Sequence, residues 1–309
     1  MTDFPTAPPE VAEILSRPIC ELGLKLEGSP LEPHVQRLYR ELQRKELSKF
    51  RPSCYLTDEW GCPSGEPVIG IPFYLADARL AWLERELNDL EDDREIMMYL
   101  RHEAGHAFNY AYRLHRTSEW HALFGPYRRP YRDHYRPVAF SREYVRHIAG
   151  WYAQKHPDED FAETFAVWLT PGSRWREKYR AWGALRKLRY MDRTARALRA
   201  AEPVRPRGRT DVTTDEMELT VAEFYQRARA EQEAAEHEAS AGWSEALHAD
   251  GAAPAGAFTL DADLADIFNV SRRRAQGLRS AAELLGQHRK AVTDKVAYWT
   301  GVQRPLIKK

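Results

Sequence analysis

His102, Glu103 and His106 lie in a His-Glu-Ala-Gly-His stretch, and their types and spacing suggest a chemistry before anything else in the chain does. On a helix, residues four apart share a face, so both imidazoles can reach one metal ion while the carboxylate sits beside them. That is the arrangement used in zinc-dependent hydrolysis. The plain alternative is a solvated helix face with two unrelated histidines. A second stretch, His156-Pro157-Asp158-Glu159-Asp160-Phe161-Ala162-Glu163, bears on the choice. Glu159 and Glu163 are one turn apart on one face, so one can ligate a metal while the other holds an imidazole N–H. Without the upstream histidines, a capped and acidic helix start would be the preferred explanation.

The elements that must position these residues follow from pattern. Asp92 and Glu95 fit a capping box opening a helix that runs to about His115. Its apolar stripe is Ile96, Met97, Leu100, Ala104, Ala107, Phe108 and Ala111, which leaves Tyr99, His102, Glu103, His106 and Tyr110 together on the other side. Gly105 costs ~1 kcal/mol against alanine in a helix interior, which close approach of another backbone would explain. Pro157 suits the first position of the second helix. Phe161, Phe165, Trp168 and Leu169 form its buried stripe, and Thr170-Pro171-Gly172 ends it.

Six prolines break residues 1–33 into loops and short elements, and His34 to Phe50 reads as an amphipathic helix. Ser53–Leu56 is a short strand, and Val68–Leu75 is a strand containing Pro72. Because proline cannot donate to a ladder, this second strand belongs at an exposed sheet edge or a bulge, where an extended peptide could pair. Residues 77–91 read as an acidic helix. Trp120 to Trp151 interleaves tyrosine and arginine, and reads as a long loop over the metal cleft whose arginines could contact substrate. The same interleaving suits single-stranded nucleic acid, but no RNA-binding pattern surrounds it. Lys178 to Ala201 is a basic helix or helix pair, Pro203–Gly208 a linker, Thr220–Ala241 an acidic helix, Gly251–Gly256 a flexible stretch and Leu260–Thr300 helical again.

Composition limits the rest. With 309 residues, 43% of them hydrophobic, the chain can build one substantial core and an appendage, or two modest domains. Lys plus Arg equals Asp plus Glu at 46 each, so no whole-chain field favours nucleic acid or an anionic membrane. Locally, 13 Lys/Arg against three acids between Arg174 and Arg209 give +10, followed by nine acids against two arginines between Asp211 and Glu238. Neighbouring stretches of opposite sign usually mean helices that face one another, or solvated faces. The amino terminus has neither a basic leader nor an apolar core, and no apolar run approaches a membrane span. The expected location is therefore cytoplasmic. Cys20, Cys54 and Cys62 read as reduced, buried thiols. Cys54 and Cys62 would form a second metal site only with partners elsewhere.

Taken together, HEAGH and Glu159-x-x-x-Glu163 resemble the gluzincin metallopeptidases, whose third zinc ligand is a glutamate on a separate helix. VIGIPFYLAD, HEAGH and HPDEDFAETFA resemble a bacterial group of zinc-binding metallopeptidases, and the catalytic domain of anthrax lethal factor is also similar. The likeness covers roughly residues 50–200. It implies that His102, His106 and Glu159 bind zinc, in preference to Asp160 or Glu163 as the third ligand. It further implies Glu103 as general base, Glu163 as the support of a ligand histidine, and Tyr152 as oxyanion stabiliser.

The resulting expectation is an α+β, mainly helical chain. Residues 1–203 would form a zincin-like metallopeptidase domain, with an α/β part to about residue 90 and the catalytic helices after it. Residues 204–309 would be a linker and helical C-terminal extension. The expected function is zinc-dependent hydrolysis of a peptide or protein substrate. The alternatives are a catalytically silent zinc-fold scaffold that works through its tail, or a nucleic-acid platform. Oligomeric state is not readable from the chain.

Overall fold

The computed structural model describes residues 7–132, 135, 137–138, 140–231, 234, 288–300 and 304. Its elements are α1 (Pro9–Leu15), α2 (Glu32–Arg44), β1 (Ser53–Thr57), β2 (Val68–Pro72), α3 (Ala78–Leu87), α4 (Asp93–Ala111), α5 (Ser118–Phe124), α6 (Pro157–Leu169), α7 (Trp175–Lys178) and α8 (Leu185–Leu198). A helix at 221–231, α9, and the C-terminal α10 (Arg289–Thr300) complete them. The described chain is mainly helical with one small parallel sheet, as expected.

The capping box of α4 is formed. The Asp92 carboxylate accepts from the amides of Arg94 and Glu95 at 2.9 Å, and Glu95 Oε2 accepts from the Asp92 amide at 3.1 Å. The helix ends at Ala111, short of His115, because Arg113 turns left-handed at φ 54° and a 3-10 turn follows. Every residue from Leu100 to Ala111 is buried, so the polar side that carries the histidines is covered as well as the apolar stripe.

The covering partner is α6, buried along its whole length. It begins with Pro157 at its first turn, and His156 Nδ1 caps it by accepting from the Asp158 amide at 3.1 Å. The two helices meet at Gly105, where an added Cβ would lie 2.7 Å from Ala162 Cα and 2.9 Å from its carbonyl oxygen. Glycine is required here because backbone meets backbone. Buried ion pairs brace the helices from behind. Arg101 on α4 holds Glu41 on α2 through two bonds of 2.7 and 2.8 Å, and Lys187 on α8 holds Asp160 on α6 at 2.6 Å.

The sheet corrects one expectation. β2 pairs in parallel with β1, Ser53 opposite Val68 through Thr57 opposite Pro72, but it is buried at every position and is no exposed edge. On the side away from β1, the N–H and C=O of Gly70 are both taken by Gly61, at 2.7 and 3.3 Å. Pro72, two residues on, has its missing donor on that same side, which is where a proline is tolerated. Beyond Pro72 the predicted strand becomes a 3-10 turn, Phe73–Ala76.

After Pro203 the chain runs along the domain. The Arg205 amide donates to Ala111 O at 2.9 Å, Thr57 Oγ1 to Val212 O at 2.7 Å and the Val221 amide to Arg17 O at 3.1 Å. Val221 and Tyr225 of α9 join the core. The predicted flexible stretch Gly251–Gly256 and the predicted helix from Leu260 up to residue 287 lie outside the described residues. Among the described residues no helix is long and apolar enough to cross a membrane.

Candidate metal centre

α4 and α6 bring three donor atoms to one point. His102 Nε2 lies 2.9 Å from Glu159 Oε2, His106 Nε2 lies 3.2 Å from the same oxygen, and the two Nε2 atoms are 3.1 Å apart. All three residues are buried, and among the described residues they are the group that brings three such donors together. The Nδ1 atoms face the other way, His102 Nδ1 at 3.0 Å from Glu163 Oε1 and His106 Nδ1 at 3.0 Å from Asp158 Oδ2. Each Nδ1–H donates to a carboxylate, which leaves both Nε2 lone pairs directed at Glu159. Two lone pairs and a carboxylate oxygen repel one another unless a cation lies between them. Tetrahedral zinc with bonds of about 2.0–2.1 Å spaces its ligands roughly 3.3 Å apart, close to what the three atoms show.

The carboxylates behind the histidines are themselves held. Glu163 accepts from the amides of His147 and Ile148 at 3.1 and 3.0 Å. Asp158 accepts from Asn109 Nδ2 at 2.7 Å and from the Tyr110 hydroxyl. Asp160 is turned away to Lys187 and reaches no metal donor, which separates it from Glu159. Glu103 is buried and lines the cleft beside His102 and His106, with no side-chain hydrogen bond to the described residues. The Tyr152 ring packs edge-on against His102 at 5.5 Å, and its hydroxyl is 3.3 Å from that of Tyr131, which donates to Glu159 Oε1 at 2.9 Å. All six residues singled out from sequence therefore meet here.

Sequence reasoning missed Asp158, Asn109, Tyr110 and Tyr131 as parts of this site. For the first three a signal existed. Asn109 and Tyr110 continue the His106 face by three and four positions, and Asp158 adjoins Glu159, but its acidity already had an explanation in the helix macrodipole. Tyr131 arrives on an irregular loop, as the Tyr/Arg segment was expected to, and no periodicity announces its target. Cys54 and Cys62 do not converge. Cys62 Sγ donates to Glu66 O at 3.1 Å, while Cys54 Sγ is 3.9 Å from the Tyr39 hydroxyl.

The electrostatics also call for a cation. Glu103, Asp158, Glu159 and Glu163 surround two imidazoles, and their ion pairs among the described residues are with those imidazoles alone. Burial opposes a charged imidazole, yet the hydrogen bonds to Glu159 and Glu163 lift His102 to about 9, and Asp158 and Glu159 lift His106 well above its ordinary value. Burial opposes the Glu159 carboxylate too, and the imidazoles still draw it well below the usual range. Burial raises Glu103. The same carboxylates that favour positive charge on the imidazoles would favour a divalent cation between the Nε2 atoms. The site opens to a cleft of about 410 Å³ whose walls include Gly61, Cys62, Tyr127, Arg129 and Tyr131.

A mainly helical fold presents a buried group of two histidines and one glutamate, braced from behind and open to a cleft, that could hold a metal ion and whose donor set suits zinc. A family model described as "putative zinc-binding metallo-peptidase" matches residues 68–181, from the start of β2 to just past α7. The match spans both helices of the site and supports a zinc peptidase as the general kind. No curated protein and no solved structure matches the chain.

Proposed function

We propose that the chain is a zinc-dependent metallopeptidase of the gluzincin arrangement, similar at its site to the catalytic domain of anthrax lethal factor. His102, His106 and Glu159 would hold the ion. When bound, zinc supplies a Lewis acid that lowers the pKa of water towards neutrality and polarises a peptide carbonyl. Glu103 accepts the proton of the attacking water and delivers it to the leaving amine. The Tyr152 hydroxyl donates to the carbonyl oxygen as negative charge grows on it. Glu163 and Asp158 keep the Nδ1 protons in place, so the Nε2 atoms stay free to ligate.

The substrate is a peptide or protein segment laid across the cleft. Residues 1–203 are proposed as a zincin-like catalytic domain, with 204–309 as its extension. A cytoplasmic setting is supported by three unpaired cysteines.

The observation that carries the reading is the convergence of two imidazoles and a carboxylate from separate helices, with Glu103 beside them and uncommitted. Its test is Glu103→Gln, assayed on a peptide library at equal zinc content. The expected result is a loss of about 10²–10⁴-fold in turnover with zinc retained. A variant that stays fully active would reject Glu103 as the base.

A further inference from the structure

α10 touches the catalytic region at two places that belong to different parts of the site. At its start, Lys290 Nζ donates to Leu90 O at 2.9 Å and to Glu95 Oε2 at 2.6 Å, and Arg304, just past its end, reaches Glu95 Oε1 at 3.5 Å. Glu95 is the reciprocal member of the capping box that opens α4, the helix of His102 and His106. Near its end, Ala297 O accepts from the Gly150 amide at 3.4 Å. Ala297 and Thr293 are buried, so α10 sits on a packed face.

Gly150 begins the segment that delivers Tyr152. Gly150 and Trp151 are both left-handed, at φ 80° and 55°, a conformation that a non-glycine residue adopts at a cost and keeps only where its surroundings impose it. Both polar groups of Gly150 are held, the amide by Ala297 O and the carbonyl by the Tyr135 hydroxyl at 2.7 Å. The 3-10 turn Tyr152–Gln154 follows at once, closed by the amides of Gln154 and Lys155 on Trp151 O and Tyr152 O, each at 2.9 Å. Among the described residues that line the cleft none belongs to α10. The helix therefore joins the two sides of the site without filling the space between them.

We infer that α10 is a positioning clamp. It ties the Tyr152 segment to the amino-terminal end of α4, and so sets the tyrosine hydroxyl against the histidines of that helix. The inference rests on the peptidase reading for its catalytic consequence, though its structural content stands apart from that reading. It assigns the end of the extension a role in turnover that metal binding does not share, because the three ligands and the two carboxylates behind them are carried by α4 and α6, and the His147 and Ile148 amides that hold Glu163 lie ahead of Gly150.

The test uses the full-length chain with Ala297→Trp, which cannot be accommodated at a buried helix position, and separately with Lys290→Met and Arg304→Met combined. Amide hydrogen exchange at Gly150, Gln154 and Lys155 should accelerate by about tenfold or more as the local opening free energy falls. Zinc affinity, measured by chelator competition, should stay at the wild-type value. Peptide kcat should fall by about tenfold or more with KM unchanged, the cost of a misplaced group rather than a lost binding contact.

Release of Gly150 without faster exchange at Gln154 and Lys155 would overturn the clamp. A kcat that rises on release would do the same, since it would make α10 a cover. If Ala297→Trp unfolds the chain, the double variant, which leaves the buried face intact, decides on the same readouts. If the wild type holds zinc and cleaves nothing, the peptidase reading fails while the exchange result still judges the clamp.

Discussion

Asp158 does for His106 what Glu163 does for His102, and the two carboxylates make separable predictions. Removing the negative charge while keeping the shape, Asp158→Asn should weaken zinc binding by about 10–100-fold in a chelator competition, because the His106 tautomer is no longer fixed. An unchanged affinity would show that stacking on Tyr110 holds the His106 ring without the carboxylate. The hydroxyls above the centre divide differently. Tyr152→Phe should lower kcat by roughly 10²–10³-fold with zinc retained, as loss of an oxyanion donor does. Retention of zinc but no kinetic effect would transfer that role away from Tyr152. At this scale His102, Glu103 and His106 were legible because helix spacing sets which residues share a face, whereas spacing left Glu159 and Glu163 as alternatives and only the family resemblance chose between them. Tyr131 was not legible, because its contact with Glu159 depends on the path of a loop.

Between elements, the crossing of α4 and α6 decides whether the donors can meet. Gly105→Ala gains ~1 kcal/mol of helix propensity. The new Cβ lands 2.7 Å from Ala162 Cα, and backbone cannot rotate out of the way as a side chain can. Overpacking of this kind costs about 1–3 kcal/mol, so the net effect should be a lower denaturation midpoint together with weaker zinc binding. A more stable variant with unchanged metal affinity would refute the close-approach account. The helices themselves were readable from capping and 3.6-residue periodicity. The environment of β2 was misread, since Pro72 suggested an open edge. The unbroken apolar run from Val68 to Leu75 was the better guide, because a strand covered on both faces needs no alternation.

For the whole molecule, no ion pair among the described residues joins the basic stretch to the acidic one. Arg176 and Arg196 pair with Asp192, Arg193 with Glu119 and Arg186 with Glu143, all exposed or partly exposed contacts worth little individually. The path after Pro203 was hidden from sequence because some of its bonds use backbone groups, such as the Arg205 amide on Ala111 O, which carry no residue signature, and others join residues far apart in the chain, such as Arg205 and Glu66. Removing the metal should be felt globally. Zinc at a thousandfold excess over its dissociation constant adds ~4 kcal/mol to the folded state, so chelation should lower the melting temperature by several degrees. An identical melting curve with and without chelator would contradict a tightly held ion.

Zinc titrated into the chelated full-length chain, with peptide-library cleavage followed throughout, shows whether one centre both binds zinc and cleaves peptides. Activity should be absent at the start, rise in proportion to bound zinc and stop rising at one ion per chain. Full occupancy without cleavage, or cleavage that persists in excess chelator, would contradict it.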